Sequence, residues 1–234
     1  HIHDRRQRQM CIRDSRMPDL EALQRSVDFC ALIRDAVGDK ADLLFGTHGQ
    51  FTAAGAIRLA RLLEVYDPLW FEEPTPPDMP EEMAKVARGT SIPVATGERL
   101  CSKFEFARVL EQGAAAILQP NLGRVGGLLE GKKIAAMAET KYVQIAPHLY
   151  CGPIVAAANI QLATCTPNFL IAESIGKMDG FHAKLLKKPL LWEDGYLIPP
   201  KEAGLGVELD DAIVAANPYE GDALHLQMGQ APYD

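Results

Sequence analysis

The sequence of 234 residues lacks several features that define specialised classes of protein. It has no apolar run of 18 residues and no recognisable signal peptide, which argues against a membrane-spanning or secreted protein. Its five cysteines are odd in number, scattered and never paired as CxxC, so we expect reduced thiols and a cytoplasmic location. Beyond residue 16 there is no block of lysine and arginine, and the net charge is −7, so neither nucleic acid nor a membrane surface is an expected partner.

Residues 1–16 differ from the rest of the chain. The segment HIHDRRQRQMCIRDSR has no apolar period of either kind, and the composition changes abruptly at Met17. We expect this segment to lie outside the fold as a non-native or disordered leader. A native basic arm is the alternative.

From Pro18 onward, helical and strand-like apolar periods alternate, in a composition of 47% hydrophobic residues that suits a globular core. The residues that end the predicted strands recur every 23–27 residues, the length of one strand, loop and helix unit. These strand ends are Gly46, Glu72, Glu98, Asn121, His148 and Glu173. The spacing predicts six parallel strands in a β/α architecture.

Polar residues at nearly every strand end favour a barrel, because a doubly wound open sheet, the alternative, concentrates ligands at one switch point. Six units are two fewer than a closed (β/α)8 barrel needs. Residues 17–176 are therefore predicted to form a partial barrel whose first units are missing. Residues 177–234 are predicted to add a helix, a hairpin turning at Asp194 and Gly195, and an extended tail, all packed on the barrel.

Local patterns also predict where helices begin. Asp78 is expected to cap a helix that Pro80 opens and Gly89 closes. Ser102 and Glu105 have the spacing of a capping box. The stretch NLGRVGG is interpreted as a loop after the fourth strand.

Two carboxylates carry the clearest chemical signal. Trp70 and Glu72 are expected to share one face of a strand, and Val94, Thr96 and Glu98 one face of the next, because side chains alternate along a strand. If the strands are parallel neighbours, both acids lie at the carboxyl edge of the sheet, where two carboxylates suit Mg²⁺. The alternative is a pair of solvated loop acids.

Four segments occur in order along the chain: WFEEP, ATGER, LQPNLGRVGG and APHLYCGP. Together they resemble the barrel domain of the enolase superfamily, nearest to the mandelate racemase/muconate lactonizing enzyme group and its galactonate dehydratase-like members. The resemblance covers residues 18–228. It implies a partial (β/α)8 TIM-type barrel that lacks its first units and the family's N-terminal capping domain. It also implies a metal-dependent hydro-lyase that removes a proton α to a carboxylate through a metal-stabilised enediolate.

The resemblance assigns roles to residues at the first three strand ends. Glu72 and Glu98 match two metal ligands, with Mg²⁺ as the expected ion. Gly46 stands where the family has its third ligand, an Asp. His48 matches a loop histidine of the dehydratases.

Further along the chain, the resemblance implies three more site residues. His148 matches the barrel base, and Asn121 stands where the family places that base's Asp partner. Glu173 matches an acidic residue that hydrogen-bonds the substrate or stabilises an oxyanion.

The ligand position left by Gly46 needs a substitute. His48 or Gln50, or a water that they hold, is expected there, and a histidine ligand would suit Mn²⁺ somewhat better than Mg²⁺. Arg99 and Gln50 are further candidates for a substitute ligand or a substrate contact.

The expected activity is dehydration of a sugar acid, in which His48 or His148 moves protons and the two glutamates hold the metal. A racemase or cycloisomerase of the same superfamily, or a non-catalytic sugar-acid-binding relic, is the alternative. We expect the fragment alone to be inactive, and the full-length protein to be a homo-oligomer.

Overall fold

The computed structural model describes residues 18–218, in which helices and strands alternate through most of the chain. The helices are α1 (Leu20–Val37), α2 (Ala53–Leu63), α3 (Pro80–Gly89), α4 (Lys103–Gln112), α5 (Leu122–Val125), α6 (Leu128–Glu139), α7 (Pro153–Thr164), α8 (Phe181–Lys184) and α9 (Asp211–Ala216). The strands are β1 (Leu44–Gly46), β2 (Trp70–Glu72), β3 (Val94–Thr96), β4 (Ile117–Leu118), β5 (Gln144–Ile145), β6 (Leu191–Glu193) and β7 (Tyr196–Ile198). None of the described helices is long and apolar enough to cross a membrane.

Strands β1 to β5 form one sheet in which every strand pairs in parallel with the next in the sequence. This order confirms the predicted β/α architecture and is the order of strands in a barrel. The sheet places the carboxyl ends of its strands along one edge. Gly46 pairs in register with Glu72, so the first two predicted site positions are neighbours.

The predicted sixth strand is reduced to a single parallel bridge between Phe169 and Ile145. Ile145 donates its N–H to the carbonyl of Asn168 and accepts the N–H of Leu170, each at 2.8 Å. The next bond of such a ladder would need an N–H at Pro147, which has none. The pairing therefore ends after one residue.

Side chains alternate between the two faces of the sheet. Phe71, Leu118 and Ile145 point outward into the main core, which the helices cover. A second, smaller cluster lies on the inner face of the sheet and contains Trp70, Ala95, Ile117 and Ala146. The inner face therefore faces what would be the interior of a barrel.

Three predicted helix boundaries meet different outcomes. Ser102 and Glu105 form the capping box at the start of α4, as predicted. Pro80 is the first residue of α3, but the Asp78 cap is wrong: Met79 holds the N-cap position, and no side chain caps the helix. Asp78 lies one residue too early, and Glu81 and Glu82 supply the negative charge that a helix N-terminus favours.

The stretch after β4 is not entirely a loop, which corrects that interpretation. The side chain of Asn121 accepts a hydrogen bond from the N–H of Gly123 and caps the four-residue helix α5. Gly126 and Gly127, with φ of 99° and 85°, end that helix and lead into α6.

The described part of the C-terminal segment contains the predicted hairpin. β6 and β7 pair in antiparallel fashion, and Asp194 and Gly195 have positive φ values of 47° and 85° at the turn. Met178 packs in a small buried cluster with Leu149 and Ala156 of the β5–α7 region. The predicted extended tail lies mostly outside the described residues, as does the predicted leader, and the domain boundaries stay predictions.

Candidate active site at the carboxyl edge of the sheet

Glu72 ends β2 on the inner face of the sheet, as predicted. Its Oε2 accepts a hydrogen bond from the indole Nε1 of Trp70 at 3.0 Å and another from Nε2 of Gln119 at 2.7 Å. The first of these bonds confirms that Trp70 and Glu72 share a face. Both bonds reach the same oxygen and fix the orientation of the carboxylate.

Glu98 reaches the same site by a different route from the one predicted. Val94 packs in the outer core whereas Ala95 lies in the inner cluster, so the expectation that Val94, Thr96 and Glu98 share the inner face is wrong. The strand ends at Thr96, and Gly97 follows with φ of 140°, a conformation that favours glycine. This turn redirects the chain and brings Glu98 to the site.

The third member of the site is His48, in the loop after β1. It adopts a left-handed backbone with φ of 48°, and its Nε2 lies 4.0 Å from Oε1 of Glu98. One potential ligand atom each from His48, Glu72 and Glu98 all lie within 4.8 Å of one another. Two carboxylates and one imidazole are a donor set that suits a divalent metal, with the nitrogen favouring Mn²⁺ over Mg²⁺. We call these three residues the Glu-Glu-His cluster.

The position of Gly46 fits the same picture. A Cβ built on Gly46 would meet no atom within 4 Å, and its backbone has no positive φ. An Asp side chain therefore has room here, beside Glu72. Because this space is open, a donor from another residue, such as His48, could reach the third ligand position.

His148 and His48 approach different carboxylate oxygens of Glu98. Its Nε2 is 3.4 Å from Oε2 of Glu98, and its Nδ1 is 2.8 Å from Nδ2 of Asn121. The carbonyl oxygen of His148 accepts a hydrogen bond from the amide of Asn159 in α7. The structure thus brings together Glu98, Asn121 and His148, which the resemblance placed at neighbouring strand ends.

Glu173 also faces the site, although the residue as a whole is exposed. Its Oε2 accepts the N–H of Leu149 at 2.7 Å. Removal of the carboxyl from water raises the pKa of Glu173, and the nearby charges of Glu72 and Glu98 add to this, against the opposing effects of the Leu149 N–H and His148. A cavity of about 220 Å³ lies between Glu173, Glu72 and Gln119 on the inner face of the sheet.

Arg99 and Gln50, the two further candidates, lie outside the Glu-Glu-His cluster. The guanidinium of Arg99 donates to Oε2 of Glu73 at 2.7 Å, and a guanidinium has no lone pair for a metal, so a ligand role is excluded. Gln50 is exposed in the loop beyond His48. A substrate contact for either residue stays a prediction.

Sequence reasoning missed two residues near the site. Gln119 lies two positions after Ile117, an inner-face residue, so its inward direction could have been read from the alternation. Glu73 is fully buried, and burial raises the pKa of its carboxyl although Arg99 opposes the shift. Its left-handed φ of 40° gave no signal in the sequence.

Comparison with known proteins assigns the family and fold of this chain. The chain belongs to the enolase C-terminal domain-like family, whose model matches residues 5–213. This confirms the resemblance to the enolase superfamily and the barrel-type fold.

Individual relatives show which members of this family the chain is similar to. The chain is 42% identical over 199 residues to a D-galactonate dehydratase from Ralstonia nicotianae, with 82% of this chain and 52% of that protein covered. It is 36% identical over 212 residues to a D-xylonate dehydratase from Haloferax volcanii, with 91% and 51% covered. A solved mandelate racemase/muconate lactonizing enzyme from Sulfitobacter sp. superposes with a TM-score of 0.87 at 60% identity, covering 93% of this chain and 55% of that one. The chain thus spans about half the length of the relatives it matches.

Proposed function

We propose that this chain carries the metal-binding barrel of a sugar-acid dehydratase, a hydro-lyase that acts at the carbon α to a carboxylate. The observation that carries the proposal is the Glu-Glu-His cluster at the carboxyl edge of a parallel sheet. The similarity to a D-galactonate and a D-xylonate dehydratase supports a sugar acid as the substrate.

The cluster would hold one divalent cation, Mg²⁺ or Mn²⁺, through Glu72, Glu98 and His48. A cation bound there supplies a positive charge that attracts the substrate carboxylate and stabilises the negative charge that develops when the α-proton leaves. Trp70 and Gln119 keep the Glu72 carboxylate in place, since both donate to its Oε2.

Dehydration also needs groups that move protons. His148 and Glu173 face the site from the next strand ends, within reach of the residues that would hold the metal. The raised pKa of Glu173 keeps it protonated to higher pH than an ordinary carboxyl, so it can donate a hydrogen bond to a substrate oxygen over a wider range.

A Mn²⁺ titration tests the metal site on this chain directly. Glu98→Gln removes a charge without a change of volume, and Glu193→Gln, in the exposed hairpin strand β6, is the matched control. We expect Glu98→Gln to weaken Mn²⁺ binding by at least tenfold and Glu193→Gln to leave it unchanged. Equal affinities in the two variants would remove the metal assignment.

The chemistry needs a second measurement, which is the Mn²⁺-dependent release of a 2-oxo acid from D-galactonate and D-xylonate. It is run on this chain and on the full product of its gene, because the relatives are about twice as long. Release of the 2-oxo acid that is lost in Glu72→Gln would support the proposed dehydratase activity. Mn²⁺ and sugar-acid binding by the full product without turnover would favour the non-catalytic relic instead.

A further inference from the structure

The side chain of Asn121 is held at both ends of its amide. Oδ1 accepts the backbone N–H of Gly123 at 2.9 Å, and Nδ2 lies 2.8 Å from Nδ1 of His148. Asn121 is only 2% exposed, and the thiol of Cys151 also lies near the amide, with Sγ 3.5 Å from Nδ2 and 3.9 Å from Oδ1. A thiol can donate or accept a weak hydrogen bond and so favours neither orientation, which leaves the contacts with Gly123 and His148 to decide it.

The backbone contact has only one possible polarity. A backbone N–H donates and cannot accept, so it must face the oxygen of the amide. The amide nitrogen then faces the imidazole, and an NH₂ group can only donate. It follows that Nδ1 of His148 is the acceptor and carries the lone pair.

A neutral imidazole has one N–H, which this arrangement places on Nε2. We propose that Asn121 is a positioning residue that fixes His148 in the Nε2–H form, so that His148 presents a hydrogen-bond donor, and no basic lone pair, to the site. The 3.4 Å separation of His148 Nε2 from Oε2 of Glu98 agrees with this polarity, because an N–H facing a carboxylate is attractive.

An Asp at position 121 would produce the opposite polarity. One carboxylate oxygen could accept the Gly123 N–H and the other could accept an Nδ1–H, which would leave the lone pair on Nε2, facing the site. The single atom that separates Asn121 from Asp thus decides which imidazole nitrogen carries the proton. Because α5 keeps its cap in either case, the change reverses the polarity without removing the local fold.

The Nε2–H form of His148 changes which residue of the site could accept the α-proton. That change of roles rests on the proposed function, whereas the Nε2–H form itself does not. In this form His148 cannot accept an α-proton through Nε2, and its N–H can donate to an oxygen of the substrate. Apart from Glu72, Glu98 and His48, which would hold the metal, the described residue of the adjoining cavity that could accept the proton is Glu173.

The test is a long-range proton–nitrogen NMR correlation spectrum of the metal-free, ¹⁵N-labelled chain at about pH 9, where ordinary histidines are neutral. The two ring nitrogens of a neutral histidine have distinct chemical shifts according to which one is protonated. His148→Gln assigns the signals by their loss, and His182, in α8, serves as the internal reference that no variant should move.

We expect the wild-type chain to show His148 protonated at Nε2 alone, and Asn121→Asp to show a proton on Nδ1. A wild-type His148 protonated at Nδ1 overturns the inference, even if the variant fails to fold. An unchanged protonation site in folded Asn121→Asp overturns the role of Asn121. Since no metal is present, the outcome is independent of the Mn²⁺ titration: the metal assignment can fail while the Nε2–H form stands, and the reverse.

Discussion

Gln119 donates from Nε2 to Oε2 of Glu72 at 2.7 Å, although the two residues are 47 positions apart. Glu72 ends β2 and Gln119 directly follows β4, with β3 between the two strands. The oxygen that accepts this bond also accepts the indole N–H of Trp70. Neither donor can bind a metal through the atom it uses here. Both act on the carboxylate that would bind one, in the manner of the outer partners that orient metal ligands in other proteins.

Gln119→Leu should weaken Mn²⁺ binding by about tenfold, the lower end of the range for the loss of such a partner. Stability should not fall with it, because Oε1 of Gln119 is buried without a hydrogen-bond partner in the described residues, and leucine removes that unsatisfied atom. Calorimetric titration and urea denaturation check the two expectations. Trp70→Phe, which removes the other donor, is the companion variant. Unchanged Mn²⁺ affinity in both variants would contradict the orienting role.

The order of the elements and the residues at the strand ends could be predicted from local patterns. Apolar periods repeat within each unit, and a repeat of 23–27 residues leaves few architectures other than parallel β/α. The Glu72 prediction held because its strand is regular up to that residue. Parity is reliable only while the backbone stays extended.

Glu98 shows where this reasoning fails. Its inward position depends on Gly97, whose φ of 140° breaks the alternation, so the parity argument placed Glu98 on the correct side but put Val94 on the wrong face. Gln119 could have been assigned to the inner face, but its bond to Glu72 spans β3 and depends on the register of β2, β3 and β4. Contacts of this kind are set by packing, which a single sequence does not encode locally.

The capping box of α4 is expected to make a pH-dependent contribution to the free energy of unfolding. Burial raises the pKa of Glu105, but bonds from the Ser102 hydroxyl and from the N–H groups of Cys101 and Ser102 outweigh it, so the net pKa is lowered from 4.5. As the pH falls, Glu105 therefore binds a proton at a higher pH in the unfolded chain than in the folded one. The stabilisation from Glu105 should be complete above about pH 4.5 and should be lost as the pH falls through the lower folded value.

Ser102→Ala should lower the free energy of unfolding by about 1 kcal/mol at pH 7, a typical cost of a lost cap. Glu105→Gln should flatten the decline in stability below pH 4.5, whereas Glu111→Gln, exposed near the end of the same helix, should leave it unchanged. Urea denaturation at several pH values measures both. A decline as steep in Glu105→Gln as in the wild type would refute the linkage.

The ion pair between Arg99 and Glu73 predicts a non-additive pair of substitutions. Glu73 is fully buried and has one oxygen without a partner in the described residues, so Arg99 is the charge that compensates it. Arg99→Met should cost about 1–3 kcal/mol of stability, the range for a buried polar group left unsatisfied. Adding Glu73→Gln should recover part of that loss, because the buried charge is then gone. A double variant whose loss of stability equals the sum of the losses in Arg99→Met and Glu73→Gln would show that the pair is not coupled.

The third ligand position gives the sharpest prediction for the metal site. If His48 completes the Glu-Glu-His cluster, His48→Ala should weaken Mn²⁺ binding by at least tenfold, which is about 1.4 kcal/mol. Gly46→Asp alone should change affinity little or lower activity, because the new carboxylate would crowd a position that His48 already fills.

Combining Gly46→Asp with His48→Ala distinguishes a His48 that binds the metal from a His48 that only lies near it. A Cβ at Gly46 meets no atom within 4 Å, and Gly46 lies in register with Glu72, so an Asp there can reach the position that His48→Ala vacates. We therefore expect the double variant to regain at least part of the lost Mn²⁺ affinity, and to bind Mg²⁺ better relative to Mn²⁺ than the wild type does, since oxygen replaces nitrogen. Ala41→Asp, at an exposed position before the amino end of β1, is the control in the His48→Ala background. Should His48→Ala leave the Mn²⁺ affinity unchanged while Gly46→Asp alone raises it tenfold, the third position lacks a ligand in this chain and His48 serves only in proton transfer.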